Sequence, residues 1–329
     1  MASTQEFRRR IKSVNSTSQI TKAMEMVASV KMQKAQKAIL SARSYVQNSW
    51  NLLTTLAKLT SPKNHPLLAD PDKIDKTCVI LITSDRGLCG SFNADVIRKV
   101  TAFLDNERHS RPDRESTDRL LVDPRLRGDD RKGNGDDRTG EIDFITIGKK
   151  AANFAKKSQK GELTAEFSAF DNEVSYDSTT SISKIAIDDF LANKYQKVLV
   201  IYSHFESSLR QIPVVKQVLP ITENHIDNPE VWEATPNEEQ SGAEVEYKFE
   251  PSADEVLERL IPLFIRLQIY GAILESNSSE HSARMVAMKN ATDNAKELID
   301  GLTLTYNTVR QNSITSEIAE ICAGAEAMR

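Results

Sequence analysis

The sequence predicts a mixed α/β protein, in which two terminal helices form a long antiparallel coiled coil and a small α/β domain lies between them in the chain. Two patterns in the 329 residues predict it. Near both ends, apolar or small residues recur at alternating steps of three and four, as in helices packed side by side. In the middle, short apolar runs alternate with helical patterns. The predicted units are residues 1–60, 75–250 and 252–329.

The N-terminal helix is predicted to begin near Ser3 and to end near Leu59. Ser3 and Glu6 fit a capping box, in which their side-chain oxygens accept hydrogen bonds from free N–H groups of the first turn. Pro62 and Pro66 follow, and proline cannot continue a helix. Small side chains in the seam allow a partner helix to approach closely. The seam residues are Phe7, Ile11, Val14, Ser18, Thr21, Met24, Ala28, Met32, Ala35, Ile39, Ala42 and Val46.

The C-terminal helix is predicted from about residue 252 to residue 328. At about 1.5 Å per residue, this run is on the order of 110 Å long and cannot bury its seam on a compact domain. The N-terminal helix is a partner of similar reach. Two core helices of an ordinary bundle are the alternative, but no third helix of comparable length is predicted. The seam residues are Leu267, Tyr270, Leu274, Asn277, His281, Met285, Met288, Ala291, Ala295, Ile299, Leu302, Tyr306 and Val309.

The connectivity predicts the direction and the register of the helix pair. The first helix leads into the middle of the chain and the last helix returns from it, so the two run antiparallel. Alignment of Leu59 with Asp254 places Thr4 opposite Val309, and later residues should project as a single helix. An apolar stripe continues there without a partner in this chain, so we expect another chain to cover it. Its residues are Ile314, Ile318, Ile321 and Ala325.

The middle of the chain is predicted to form a Rossmann-like α/β domain with a largely parallel sheet. Strands are expected at residues 77–83, 142–147, 163–167 and 197–202. Residues 211–219 and 244–250 are extended candidates at the margin of the sheet. Helices are expected at residues 94–104, 149–157 and 181–192. The first strand is apolar throughout (TCVILIT), which is typical of a strand buried on both faces.

Residues 107–140 interrupt this alternation. They hold nine basic and nine acidic residues with few large apolar ones, and are predicted to be a disordered and dispensable insertion. Charge is uneven elsewhere too, since the first 60 residues are basic and residues 223–254 are acidic. The acidic stretch between the extended candidates at 211–219 and 244–250 is predicted to be a loop. No base-stacking aromatic set accompanies the basic helix. We therefore expect no nucleic-acid partner, and interpret its basic face as solvated or facing an acidic partner.

The composition excludes several function classes. No apolar run is long enough to predict a membrane span, and the N-terminus lacks the apolar core of a secretory signal. Cys78, Cys89 and Cys322 have no metal-ligand spacing, and the histidines form no cluster. The sequence thus predicts no metal site, and three cysteines without a framework indicate a reducing compartment.

A glycine-containing turn at residues 87–91 (GLCGS) is the one candidate phosphate-binding site. It follows a strand and precedes a helix, where a phosphate could bind. The chain has neither GxGxxG nor GxxxxGK[ST], so a tight structural turn is the favoured interpretation. A coiled-coil nucleotide-binding protein remains the alternative function. Asp85 and Arg86 are interpreted as a structural charge pair or as a contact with a neighbouring subunit, and no catalytic residue and no cofactor are predicted.

Four segments carry a resemblance to a known family. They are ITKAMEMVA at residues 20–28, TSDRGLCGSFN at 83–93, SEHSARMVAMKNATDNA at 279–295, and YNTVRQNSITSEIAEI at 306–321. Together they resemble the gamma subunits of F-type ATP synthases, over nearly the whole chain. Residues 107–140 do not match the family pattern.

The resemblance implies a rotor that couples proton flow through the membrane sector to ATP synthesis or hydrolysis at the beta subunits. The implied partners are the alpha and beta subunits, the epsilon subunit and the c-ring. The bearing that faces the alpha and beta subunits would comprise Met24, Arg310, Gln311, Ile314, Thr315, Glu317 and Ile318. For Met24, packing within the seam is the alternative.

The resemblance also implies a foot that rests on the c-ring. The segment YSHFE resembles the part of the family that meets the c-ring and the epsilon subunit, which would make Tyr202, Phe205 and Glu206 contact residues. The chain would be peripheral to a bacterial inner membrane, on its cytoplasmic side. Since Met1 leads directly into the first helix, this location is preferred to a mitochondrion.

Overall fold

Two very long helices dominate the computed structural model. Helix α1 (Thr4–Leu59) has 56 residues and helix α5 (Ala253–Ala327) has 75. Both begin and end within a few residues of the predicted positions. Among the described residues, the next longest helix has only 18, so no third helix could complete a bundle with them. The structure describes residues 4–59, 66–68, 71, 74–109, 141–158, 161–170, 174–221, 250 and 252–328.

The domain between these helices alternates strands with helices, as predicted. Its elements are β1 (Lys76–Ile82), α2 (Phe92–His109), β2 (Glu141–Ile147), α3 (Lys149–Ser158), β3 (Glu162–Phe167), α4 (Thr180–Leu191), β4 (Lys197–Phe205) and β5 (Gln211–Leu219). Residues 107–109, expected to be disordered, instead form the last turn of α2. The rest of the predicted insertion and the extended candidate at residues 244–249 lie outside the described residues.

The five strands form one sheet in the order β3-β2-β1-β4-β5. The first four strands are parallel, and β5 pairs antiparallel with β4. Residues 78–81 of the central strand β1 are fully buried, which explains why its sequence is apolar without alternation. One face of the sheet packs against α2 and α3. The other face packs against α4 and the adjoining ends of α1 and α5.

The foot is this α/β domain together with the ends of the two long helices that are embedded in it. Leu53 and Leu56 of α1 and Ile261, Phe264 and Ile265 of α5 belong to the same buried apolar cluster as the sheet. The helices therefore leave the foot as a rooted pair. The shaft is the part of this pair beyond the foot.

The register of the shaft is the one predicted. The Thr21 and Thr292 hydroxyls are hydrogen bonded at 2.7 Å. Thr21 lies 17 residues after Thr4, and Thr292 lies 17 residues before Val309, so the two alignments are the same. Near the end of α1, the Arg8 guanidinium donates to the Tyr306 hydroxyl at 3.2 Å. Antiparallel pairing thus persists almost to the first residues of α1.

Candidate partner-binding surfaces

The C-terminal part of α5 projects beyond α1 as a single helix, as expected. Every residue from 310 to 325 is exposed. The apolar stripe on this tip is open, with Ile314 at 47%, Ile318 at 56% and Ile321 at 72% exposure. A soluble surface rarely keeps such a row of large apolar side chains unless another surface covers it. The tip, defined as residues 310–328, is therefore a candidate docking surface.

The polar residues predicted for the bearing flank this stripe. At roughly 100° per residue, Arg310 and Glu317 lie along one side of it, and Gln311 and Thr315 lie along the other. All four are exposed. The Thr315 hydroxyl donates to the Gln311 carbonyl at 2.9 Å, a bond within the helix. The tip thus presents an apolar row between two polar rows.

Met24 marks a second apolar surface, on α1. Its side chain is 40% exposed, whereas its seam neighbours Ala28 and Met32 are buried. Packing within the seam, the alternative role for Met24, therefore covers only part of the Met24 side chain. Four apolar neighbours, which sequence reasoning missed, are still more exposed. These are Ile20, Met26, Val27 and Val30. They could have been found as large apolar residues that fall outside the seam of a helix.

The foot segment at residues 202–206 is only partly exposed. Tyr202 is only 4% exposed, so its side chain is not available to a partner, which corrects that part of the prediction. Phe205 is half-buried, and Glu206 is exposed and pairs with Arg210 at 3.1 Å. The segment also lies at the shaft-facing edge of the sheet, because the Ser203 carbonyl accepts a hydrogen bond from Ser279 of α5.

Tyr202 belongs to a buried polar cluster between the sheet and α5. At its centre is Glu275, 5% exposed, which His204 Nδ1 approaches at 2.7 Å. Burial and the neighbouring Glu275 carboxylate raise the pKa of Tyr202 well above its usual value. Burial lowers the pKa of Lys216 to about 7, and the Glu275 carboxylate opposes this only in part. Four polar side chains from three elements thus hold α5 against the sheet.

The turn at residues 87–91 is held in place by contacts within the protein. Leu88 and Gly90 have positive φ values of 63° and 56°, which makes the turn tight. The Arg284 guanidinium of α5 donates to the Gly87 carbonyl at 3.5 Å and to Glu280 at 2.7 Å. Cys89 is 2% exposed, and burial raises the pKa of its thiol, which disfavours a nucleophilic role. This geometry supports a structural turn.

Asp85 also has a structural position, but not the one expected. Its carboxylate accepts hydrogen bonds from the backbone N–H of Lys149 at 2.9 Å and of Ala169 at 3.2 Å. It therefore satisfies the start of α3, where a negative charge is favoured. The predicted pairing with the adjacent Arg86 is replaced by these two backbone contacts.

Sequence comparison identifies the family of the chain. A family model described as ATP synthase matches residues 3–328. The ATP synthase gamma chain of Pelotomaculum thermopropionicum is 38% identical over 330 residues, covering all of both chains. The chain belongs to the ATP synthase gamma chain family. The gamma chain of Roseiflexus sp. (strain RS-1) is 37% identical, covering 100% of this chain and 99% of that one.

Solved structures share the fold of this gamma chain family member. The rotor of the Euglena gracilis mitochondrial ATP synthase matches 94% of this chain and 98% of its own, with a TM-score of 0.56 and 15% identity. A chain of the OSCP/F1/c-ring structure of the same enzyme matches 99% of this chain and 94% of its own, with a TM-score of 0.59 and 16% identity. The paired terminal helices and the intervening sheet are thus an established architecture.

Two features of the described residues bear on other functions. No helix among them is both long and apolar enough to cross a membrane. No group of three or more His, Cys, Asp or Glu side chains in the same part of the chain could hold a metal ion.

We predict that the isolated chain does not bind MgATP in the micromolar range. The physical reason is that the chain has no GxxxxGK[ST] loop, in which backbone N–H groups and a lysine would hold the phosphates. Isothermal titration calorimetry of the purified chain with MgATP tests this. Saturable heat with a micromolar Kd would contradict the prediction.

Proposed function

We propose that the chain is the central rotor shaft of an F-type ATP synthase. It couples proton flow through the membrane sector to conformational change at the beta subunits, where ATP is made or hydrolysed, and is itself a non-catalytic subunit. One observation carries the proposal: a rooted helix pair ends in an exposed apolar tip, in a chain of the ATP synthase gamma chain family. A stiff shaft with an uncovered end has the shape that a surrounding ring of subunits requires.

The tip and the apolar surface around Met24 form the proposed bearing against the alpha and beta subunits. Ile314 and Ile318 supply apolar contact area, and Arg310, Gln311, Thr315 and Glu317 offer polar contacts beside them. An exposed guanidinium or carboxylate can make a charge-assisted hydrogen bond to a facing subunit. Because α1 and α5 present different side chains around the shaft, its surface is asymmetric.

The proposed membrane-side contact is at the far end of the foot. The end of α1 and the start of α5 meet there, opposite the tip, and Glu255, Glu258 and Arg259 are exposed on α5. This end suits the c-ring better than Phe205 and Glu206, which lie at the shaft-facing edge. We propose a peripheral location on the cytoplasmic side of a bacterial inner membrane, with the epsilon subunit beside the foot.

Photo-crosslinking in the assembled enzyme tests the proposal. A cysteine at position 318 or 24, in a Cys322→Ser background, is labelled with a photoreactive group and illuminated. We expect crosslinks to alpha or beta subunits from both positions, because both side chains are exposed on the shaft. A cysteine at Ser178, exposed on the foot, serves as the control and should give none. Products from positions 318 and 24 that contain no alpha or beta subunit would refute the bearing.

A further inference from the structure

Backbone carbonyls of the foot accept hydrogen bonds from α5 at the point where the helix leaves the foot. Four α5 side chains donate hydrogen bonds to four different segments within about two helical turns. We call these four bonds the collar. They are Asn277 to the Phe170 carbonyl at 2.7 Å, Ser279 to Ser203 at 2.9 Å, Ser282 to Ser208 at 2.8 Å, and Arg284 to Gly87 at 3.5 Å.

Three of the four collar bonds, those of Asn277, Ser279 and Ser282, are buried or partly buried polar contacts where apolar packing could have been used. Asn277 is 8% exposed, and Ser279 and Ser282 are fully buried. Ile273 and Leu274, which precede these residues on the same helix, are buried apolar residues of the foot core. Burial of a polar side chain costs free energy unless its hydrogen bonds are made. Apolar side chains in this stretch would have been buried without that cost. The polar side chains therefore supply something that apolar contacts do not.

What they supply is resistance to turning. At roughly 100° per residue, Asn277 and Arg284 lie on one face of α5, and Ser279 and Ser282 lie on the roughly opposite face. Side-chain atoms lie about 5 Å from the helix axis, so a turn of about 10° displaces them by about 0.9 Å. That displacement stretches a bond of 2.8–2.9 Å beyond the range in which hydrogen bonds hold. Bonds on opposite faces oppose rotation in both directions.

The apolar contacts of the foot lack this property. Leu257, Ile261 and Phe264 bury their surfaces against the sheet and α1, and such burial is non-directional. It keeps the shaft attached to the foot, but it does not favour one rotational setting as strongly as directional bonds do. The His204–Glu275 contact, at 2.7 Å, reinforces the face that carries Ser279 and Ser282.

We propose that the collar is the joint through which torque passes between the foot and the shaft, with Asn277, Ser279 and Ser282 as its positioning residues. The inference rests on the rotor function proposed above. A foot driven from the membrane side pushes α5 through these bonds, and a shaft driven by ATP hydrolysis pushes the foot through the same bonds.

The test compares ATP hydrolysis with ATP-driven proton pumping in inverted membrane vesicles that contain the complete enzyme. The variant is Asn277→Ala, Ser279→Ala and Ser282→Ala together. We expect hydrolysis to change little, and protons pumped per ATP to fall about threefold or more, since one such bond shifts an equilibrium by a factor of roughly three to ten. The single variants Asn277→Ala and Ser282→Ala should show smaller falls, and they keep the test valid if the triple variant does not fold.

The matched control removes three hydroxyls whose bonds stay within their own segments. It is Ser41→Ala, Ser158→Ala and Ser178→Ala, whose hydroxyls donate to Ala38, Ala155 and Ser175. Its pumping ratio should equal that of the natural enzyme. Subunit content and melting temperature are measured for every preparation. A lower ratio in complete, stable enzyme supports the collar, because a merely structural role would not change the ratio without loss of stability or subunits.

Two results would overturn the inference. One is an unchanged pumping ratio in fully assembled collar variants, which would mean that apolar packing transmits the torque. The other is a lower ratio only where subunits are lost or the melting temperature falls sharply, which would make the collar a folding contact. Failure of the rotor proposal would look different. The complex purified with the unmodified chain would then contain no alpha and beta subunits and would not pump protons.

Discussion

A chain that ends at Arg310 is expected to fold and melt like the full chain but to assemble poorly with the surrounding subunits. Residues 310–325 are all exposed, so their removal uncovers no core of this chain. The melting temperature of the isolated chain should therefore stay within about 3 °C of the natural value. Ellipticity per residue at 222 nm should also be retained.

Assembly is where the loss should appear. Burial of Ile314, Ile318 and Ile321 in a partner can contribute roughly 1.5–3 kcal/mol for each side chain before offsetting costs. Even if only part of this survives, binding of the truncated chain to the alpha and beta subunits should weaken by at least about tenfold. Quantitative reconstitution of the complex, with ATP-driven proton pumping as a second measure, tests the expectation.

A full-length variant separates the stripe from the helix that carries it. Ile314→Ser, Ile318→Ser and Ile321→Ser should assemble as poorly as the truncated chain. A control on the roughly opposite face, Ser313→Ala, Ser316→Ala and Glu320→Ala, should assemble almost normally. A large fall in the melting temperature of the isolated truncated chain would show that the tip folds back onto this chain, and that the register is wrong.

The shaft could be predicted well from the sequence because its determinants are local and periodic. A seam at steps of three and four extends over many turns, so an error at one residue does not shift the whole pattern. Connectivity then permits one direction, and equal rise per residue fixes the register. The Thr21–Thr292 hydrogen bond lies in the predicted alignment for this reason.

The foot surfaces were harder to predict because they depend on contacts between distant parts of the chain. The alternation of strands and helices predicted the sheet, but not which strands would pack against α5. Tyr202 was expected at a surface, although it points at Glu275, which lies 73 residues further along the chain. The collar joins α5 side chains to backbone carbonyls. Since every residue has a backbone carbonyl, residue types do not reveal which carbonyl accepts a bond. Only the run of polar residues 275–282, which follows the largely apolar stretch 260–274 of α5, could have signalled it.

The cluster around Glu275 makes the stability of the foot depend on pH. Lys216 has a pKa of about 7 in the folded chain, against 10.5 for an ordinary lysine. Between these values the unfolded chain binds more protons than the folded chain does, so the free energy of unfolding rises with pH. Tyr202 acts oppositely at higher pH, because its raised pKa keeps it protonated in the folded chain after the unfolded chain has lost the proton. The pH range in which the effect of Lys216 on stability can be measured therefore ends below the ordinary tyrosine pKa of about 10.

Lys216→Met is expected to abolish most of this rise. In the natural chain, the free energy of unfolding should increase by on the order of 2 kcal/mol between about pH 7 and 9.5, since one pKa unit corresponds to about 1.4 kcal/mol and partial exposure of Lys216 reduces the full effect. The variant carries no buried charge, so it should be the more stable chain at pH 7 and should approach the natural chain at pH 9.5. Urea unfolding at a series of pH values, with the exposed Lys150→Met as matched control, measures the difference. Parallel pH curves for the natural chain and Lys216→Met would show that Lys216 keeps its ordinary proton affinity in the folded chain.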